Sequence, residues 1–440
     1  MKRCAIIGGG ISGLCSAYFL QKSNPEFEIH LYDAAANVGG VIRTEIVDGC
    51  ILDGGPDSFL TQKKSAIRLC EELGLAGELV SSNDADRVTF IYHDRQLKRF
   101  PEGFFLMVPT RLQPFITTDL LSWPGKLAAL NDLFSVPETH DITAGDFIEK
   151  RFGLEILNQI AEPLLSGVYG ADIRRLSLKS ALPQLWQMQQ KGSLIRQMLK
   201  PATKPKESLF TTLSRGMQML TLKLYEACSQ VQFRLNNRVE EIRKNPKGWQ
   251  MGAEFYDAII IATSAAPRIL AESGERIRQT IASVRRNSAI VVSLCYSNLH
   301  RQGFGWLIPL AERHSVLAAT YVNNKFSGRC PPGKFLVRTF IGGNFATEWI
   351  ERDDDHIYKE VMRELNRIAG IDQEPLFYRI YRWKDAMPEY ALDHEKRIAE
   401  IEALATSERG LYFTGNIFSG VGIPDCISHA EKTIRKVLSP

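Results

Sequence analysis

Six residues near the start of the chain, Gly8-Gly9-Gly10-Ile11-Ser12-Gly13, have the types and spacing to hold a pyrophosphate. Gly8 permits a tight turn, Gly10 lets backbone N–H groups approach the phosphates with no Cβ in the way, and Gly13 packs a helix against a strand. Twenty residues after Gly13 stands Asp33, whose carboxylate would accept a hydrogen bond from a ribose hydroxyl and repel a phosphate there. The pattern suits a dinucleotide and argues against an NADP-type ligand. A glycine turn can also exist with nothing bound to it; the strand, helix and acid around this one give it a binding sense.

Two further glycine-rich turns follow, Gly39-Gly40 with Arg43-Thr44 and Asp53-Gly54-Gly55-Pro56-Asp57-Ser58. No Ser/His/Asp, Cys/His or paired-carboxylate constellation is evident, and no catalytic side chain is named. The eight histidines show no HxxxH or HxH spacing and the eight cysteines no CxxC pair, so no metal site is expected. The cysteines read as reduced, mostly buried thiols. Cys426, with no base in its motif, reads as a packing residue, and Asp425 as a cap of the last helix.

The elements that must position these residues are legible in the apolar spacing. Arg3 to Ile7 reads as a strand, Ile11 to Leu20 as a helix, and Phe27 to Tyr32 as a second strand ending at Asp33, which together make a βαβ unit. Ser65 to Leu73 and Met219 to Cys228 have helical spacing, while Val88 to Tyr92, Val231 to Ile242 and Ala258 to Ala262 are strand-like. The region Asn287 to Tyr381 alternates as a mixed sheet with a helix near His356 to Ala369, and Gly410 to Thr414 is a last strand before a terminal helix. From Gly103 to Lys200, helical pieces are punctuated by prolines, and Lys200 to Glu207 reads as a linker.

Composition bounds the rest. At 440 residues, with 44% hydrophobic and 24% charged residues, two or three units are expected, neither disordered nor membrane-spanning. The net charge of +4 is small, and the basic runs do not interleave aromatics, so no nucleic-acid partner is implied. No secretory leader precedes the first strand, and a cytoplasmic protein is expected.

The opening resembles FAD-containing amine oxidases and desaturases. Three further segments narrow the resemblance: Gly55-Pro56-Asp57-Ser58-Phe59-Leu60, Glu162-Pro163 through Asp172, and Gly420-Val421-Gly422-Ile423-Pro424-Asp425-Cys426. With them the chain is similar, from Lys2 to its last helix, to the oxygen-dependent protoporphyrinogen and coproporphyrinogen oxidases. The resemblance implies an α/β fold: a Rossmann-like FAD-binding domain (1–64, 206–264 and 408–440), a mixed-sheet substrate domain (65–102 and 265–407) and an inserted helical unit (103–205). Carried over by position, Gly8, Gly9, Gly10, Ile11, Ser12 and Gly13 would hold the pyrophosphate, Asp33 the adenine ribose and Val239 the adenine. Gly40, Val41, Gly55, Pro56, Asp57 and Ser58 would border the flavin, with Trp383, Gly415, Val421, Gly422 and Ile423 closing over it. Many relatives have glutamate where Asp33 stands. The wider group often has arginine where Val41 follows the double glycine, which leaves Arg43 as a cofactor contact.

The implied substrate is a porphyrinogen, oxidised by FAD with molecular oxygen as acceptor and H2O2 as product. Its carboxylates call for an arginine at the pocket mouth, for which Arg87 is the candidate, and Gly167 would let backbone approach the flat ring. Protoporphyrinogen is favoured over coproporphyrinogen; another amine or polyene oxidase and a noncatalytic flavoprotein are the alternatives. The apolar run Phe104 to Val108, followed by Phe115, Leu120, Leu121 and Trp123 with Arg111 and Lys126 nearby, suits peripheral contact with a membrane face. A homodimer is a further expected assembly.

Overall fold

The computed structural model describes residues 2–105, 107–198, 207–270 and 275–439. The linker expected at Lys200 to Glu207 falls almost wholly outside them. Strand β1 (Arg3–Ile7), helix α1 (Ile11–Ser23) and strand β2 (Glu28–Tyr32) form the expected βαβ unit. They belong to a five-stranded sheet ordered Val231–Arg234, β2, β1, Ala258–Ile261, Leu411–Phe413, in which every pairing is parallel. Such a sheet must be covered on both faces, which is why its strands are near-continuous apolar runs. One face carries α1, the helix Gln218–Ala227 and the last helix Ile423–Leu438. Trp249, Tyr256, Ile277, Ile281 and Ile401 cover the other.

The strand expected from Val231 to Ile242 ends at Arg234. Asn236 takes a left-handed φ of 51°, and the amides of Asn236 and Asn237 donate to the carbonyls of Ala35 and Asp33. The chain therefore turns over the tip of β2 instead of extending, and the turn braces Asp33.

A mixed seven-stranded sheet forms the second layer. Its order is Phe377–Pro388, Arg286–Ser297, Lys334–Ile341, Val316–Tyr321, Gly305–Leu307, Thr89–His93, Gln96–Arg99, with only the Gly305–Leu307 and Thr89–His93 pair parallel. Side chains alternate with period two. Ile290, Val292, Leu294, Phe335 and Val337 pack on Ile357, Val361 and Leu365 of the helix Asp354–Ala369. The pairing register slips between Asn287 and Ala289, opposite Met387 and Trp383. A bulge of this kind re-aims side chains, here those near Trp383.

Residues of the inserted unit form their own apolar core from Phe147, Phe152, Ile156, Ile160 and Leu185. Val108, Phe115, Leu120 and Leu121 are buried in it, and Phe104 is half-buried against Phe100 and Phe115. These residues of the expected membrane patch thus pack inward, because the proline-broken helices fold back on themselves. Lys126 is buried as well, its ammonium donating to the carbonyls of Ile116 and Thr118.

The expectation of reduced cysteines is corrected at one pair. Cys50 and Cys330 are joined in a disulfide across 280 residues, and the Cys295 thiol lies 3.7 Å from Cys50. Folding brings a hairpin strand and the loop before Lys334–Ile341 together, which no local cysteine spacing announces.

Candidate functional site

A cavity of about 320 Å³ runs along the carboxyl ends of β1, Ala258–Ile261 and Leu411–Phe413, where open α/β sheets bind ligands. Gly8, Gly10, Ile11, Ser12 and Asp33 line one part, Gly40, Val41 and Pro56 a second, and Trp383, Gly415, Val421 and Ile423 a third. Twelve expected cofactor residues, remote in sequence, therefore share one wall.

The glycines explain why the cavity exists. Gly8 has φ of 112°, and a Cβ there would stand 2.7 Å from the Ala262 carbonyl oxygen. Gly10 caps α1 with extended backbone and no side-chain cap, and a Cβ on it would meet no protein atom within 4 Å. The helix N-terminus has no acid in its first turn, so its free N–H groups and partial positive charge face open space. A helix end of this kind is suited to an anionic group. Gly39 donates to the Gly9 carbonyl at 2.8 Å, drawing the double-glycine turn against the first glycine loop.

Asp33 is held rigidly. Its two carboxylate oxygens accept from the amides of Gly9 at 2.6 Å and Ala35 at 2.7 Å. That leaves remaining lone pairs for a ribose hydroxyl.

Around the third turn, backbone groups are tied to the seven-stranded sheet. Trp383 donates its indole N–H to the Gly54 carbonyl at 2.7 Å, and Arg338 donates to the Gly55 carbonyl. Gly55 must be glycine because a Cβ would press into the Val41 carbonyl. Asp57 lies 3.1 Å from Lys325 and 3.4 Å from Arg338. Burial works against its charge, but the two cations overcome that and hold its carboxyl well below the usual range. Asp53 has a single cation, Arg329 at 3.4 Å, and there burial prevails and pushes the carboxyl up.

Other expected residues stand outside the cavity wall. Asp57 and Ser58 brace the turn from behind through Lys325. Gly9, Gly13 and Gly422 shape the backbone next to the wall, and Val239 packs half-buried on the Trp249 side of the sheet. Arg43 is exposed and pairs with Glu45 at 3.0 Å. Arg87 is half-exposed with Asp84 3.8 Å away, and Gly167 is exposed on the helix Glu162–Tyr169, where a Cβ would lie 3.6 Å from Leu307. Asp425 provides no side-chain cap to the last helix; it pairs with Lys63 at 2.6 Å, because Lys63 precedes a helix packed against that helix.

Sequence reasoning did not place several residues of this region. Arg286, Asn416 and Cys426 line the cavity, and Tyr390 donates to the Asn416 carbonyl. Burial pushes the Cys426 thiol up to about 11, which suits a packing residue. Glu162, on the helix that carries Gly167, accepts from the Leu310 amide at 2.8 Å, and burial pushes its carboxyl up to about 7. No local spacing signals any of these; each acquires its neighbours from a distant segment.

Residues 11–438 match the family described as flavin containing amine oxidoreductase. The coproporphyrinogen III oxidase of Bacillus subtilis (strain 168) is 33% identical, over 100% of this chain and 98% of that protein. The coproporphyrinogen III oxidase of Staphylococcus aureus (strain NCTC 8325 / PS 47) is 29% identical, over 100% of this chain and 99% of its own. A crystal structure from Exiguobacterium sp. 255-15, provisionally named a protoporphyrinogen oxidase, superposes with a TM-score of 0.90 at 26% identity, covering 100% of this chain and 99% of that one. These likenesses run the full length of the chain. The chain belongs to the flavin containing amine oxidoreductase family and is an oxidoreductase whose cofactor is FAD.

Proposed function

We propose that this protein oxidises a porphyrinogen to a porphyrin in haem biosynthesis, with coproporphyrinogen as the preferred substrate. The observation that carries the reading is a cavity at the carboxyl edge of the five-stranded sheet in a chain aligned end to end with two coproporphyrinogen III oxidases. The preference replaces the protoporphyrinogen that sequence reasoning favoured. Protoporphyrinogen is the second reading, supported by the Exiguobacterium structure.

A porphyrinogen becomes aromatic by losing three hydride equivalents and three protons. FAD supplies the hydride acceptor, with molecular oxygen as the proposed final acceptor and H2O2 as product. The chain would bind and orient: the Gly8 to Gly13 loop and Asp33 would hold the dinucleotide, and Gly40, Val41, Pro56, Trp383 and Val421 to Ile423 would border the flavin. Arg87 at the start of the strand Thr89–His93 receives a substrate carboxylate, and Gly167 leaves room for the ring. Mixing the holoenzyme anaerobically with each porphyrinogen tests this. Bleaching of the flavin absorbance followed by porphyrin fluorescence is expected, with the larger kcat/KM for coproporphyrinogen; no bleaching with either would refute the reading.

Peripheral membrane contact belongs to the same proposal. No helix among the described residues is long and apolar enough to cross a membrane. The inserted unit nevertheless exposes Leu112, Ile116, Trp123, Leu127, Phe134 and Val136, with Trp123 65% and Phe134 84% exposed. A surface concentration of large apolar side chains marks a contact surface. Assembly as a homodimer is proposed alongside, to be read by light scattering.

A further inference from the structure

Among the described residues, three charged ones line the first cavity: Asp33, Arg286 and Lys384. Two of them are engaged. Asp33 accepts from Gly9 and Ala35, and Lys384, largely in solvent, pairs with Glu351 at 2.6 Å. Arg286 differs from both. Among the described residues no hydrogen bond or ion pair holds its guanidinium; Asp385 and Tyr390 act on it only through space. Arg286 is half-buried, and burial lowers its pKa.

The fold aims this residue at the cavity. Arg286 opens the strand Arg286–Ser297, pairs with Pro388, and stands beside the bulge opposite Trp383. A second cavity of about 580 Å³, lined by Arg268 and Arg285, adjoins the first, and Arg286 lines both. Among the described residues its only acid is Asp385. Meanwhile the double-glycine turn presents Val41 to the cofactor, and Arg43 is turned away to Glu45.

FAD brings two phosphates, and its ring gains negative charge on reduction. A half-buried guanidinium with no protein partner is favourably placed beside an anion. We infer that Arg286 is the cation that answers the negative charge of the cofactor in this cavity, a task the double-glycine turn does not perform. The inference rests on FAD being the cofactor. The anionic chemistry has two sources, the phosphates and the reduced ring.

The test uses purified holoenzyme and the variants Arg286→Gln, Arg286→Lys and Arg285→Gln, each checked for folding by circular dichroism. FAD dissociation is followed by flavin fluorescence, and the flavin midpoint potential by dye-coupled titration. Arg286→Gln is expected to weaken FAD binding roughly ten- to hundredfold if the phosphates are the source. If the reduced ring is the source, the potential falls by about 30 mV for each tenfold loss in a two-electron couple. Arg286→Lys recovers part of either effect, and Arg285→Gln, in the second cavity only, changes neither. Should Arg286→Gln not accumulate, Arg286→Met keeps the aliphatic bulk and is read the same way. Wild-type values for both quantities in the neutral variant, or an equal loss in Arg285→Gln, would overturn the assignment. A wild-type protein that retains no FAD would instead sink the cofactor reading beneath it.

Discussion

The indole N–H of Trp383 donates to the carbonyl of Gly54 at 2.7 Å, joining residues 329 positions apart. One belongs to the seven-stranded sheet and the other to the glycine turn behind Pro56, which lines the cavity. The bond ties together two parts of the cavity lining. Trp383→Phe keeps a ring but leaves that carbonyl without its donor. A loss of about 1 kcal/mol in holoenzyme stability is expected from denaturant titration, with faster FAD release. Unchanged release would show that the bond does not position the wall.

Gly10 and Gly13 separate binding from folding. A side chain at Gly10 meets open cavity, whereas one at Gly13 meets the Gly8 carbonyl. Gly10→Val should therefore fold and lose most of its FAD, while Gly13→Val should lose thermal stability before flavin content is even considered. Full flavin content in purified Gly10→Val would contradict the pyrophosphate assignment.

Glu162 predicts a pH dependence of stability. Burial pushes its carboxyl up to about 7 from an ordinary 4.5, opposed by the Leu310 amide, which favours the charged form. Between those values the folded protein holds a proton that the unfolded chain has released, so stability falls as pH rises from about 4.5 to 7 and then levels. The size is on the order of a few kcal/mol. Comparing denaturant midpoints of wild type and Glu162→Gln across this range checks it: the slope difference should vanish in the variant, and parallel profiles would count against it.

Arg87 is half-exposed, so solvent weakens any pair it makes. Arg87→Ala should raise the KM for a porphyrinogen by up to about tenfold, with FAD content unchanged. Identical kinetics would leave Arg87 as a surface charge.

The exposed apolar side chains of the inserted unit lead to a flotation assay with anionic liposomes. Trp123→Ser with Phe134→Ser should shift protein from the floating to the soluble fraction while FAD is retained. Wild-type protein that never floats at low salt would dismiss the membrane contact.

Period and turn chemistry determined much of this protein in sequence alone. The strand, glycine turn, helix and Asp33 of the first βαβ unit are encoded within about thirty consecutive residues, and alternation marked the mixed sheet before its partners were known. The tertiary structure decided what stands across the cavity. Arg286 reaches the cofactor wall because a bulge and a strand register place it there, and Arg43, much closer in sequence to the glycine loop, turns out to Glu45. Cys50 meets Cys330, and the apolar run around Val108 folds into a core while Trp123 and Phe134 stay in solvent. The physical reason is common to all of them. Local spacing specifies backbone conformation and which face is apolar, but partners and solvent access depend on how segments hundreds of residues apart are packed together.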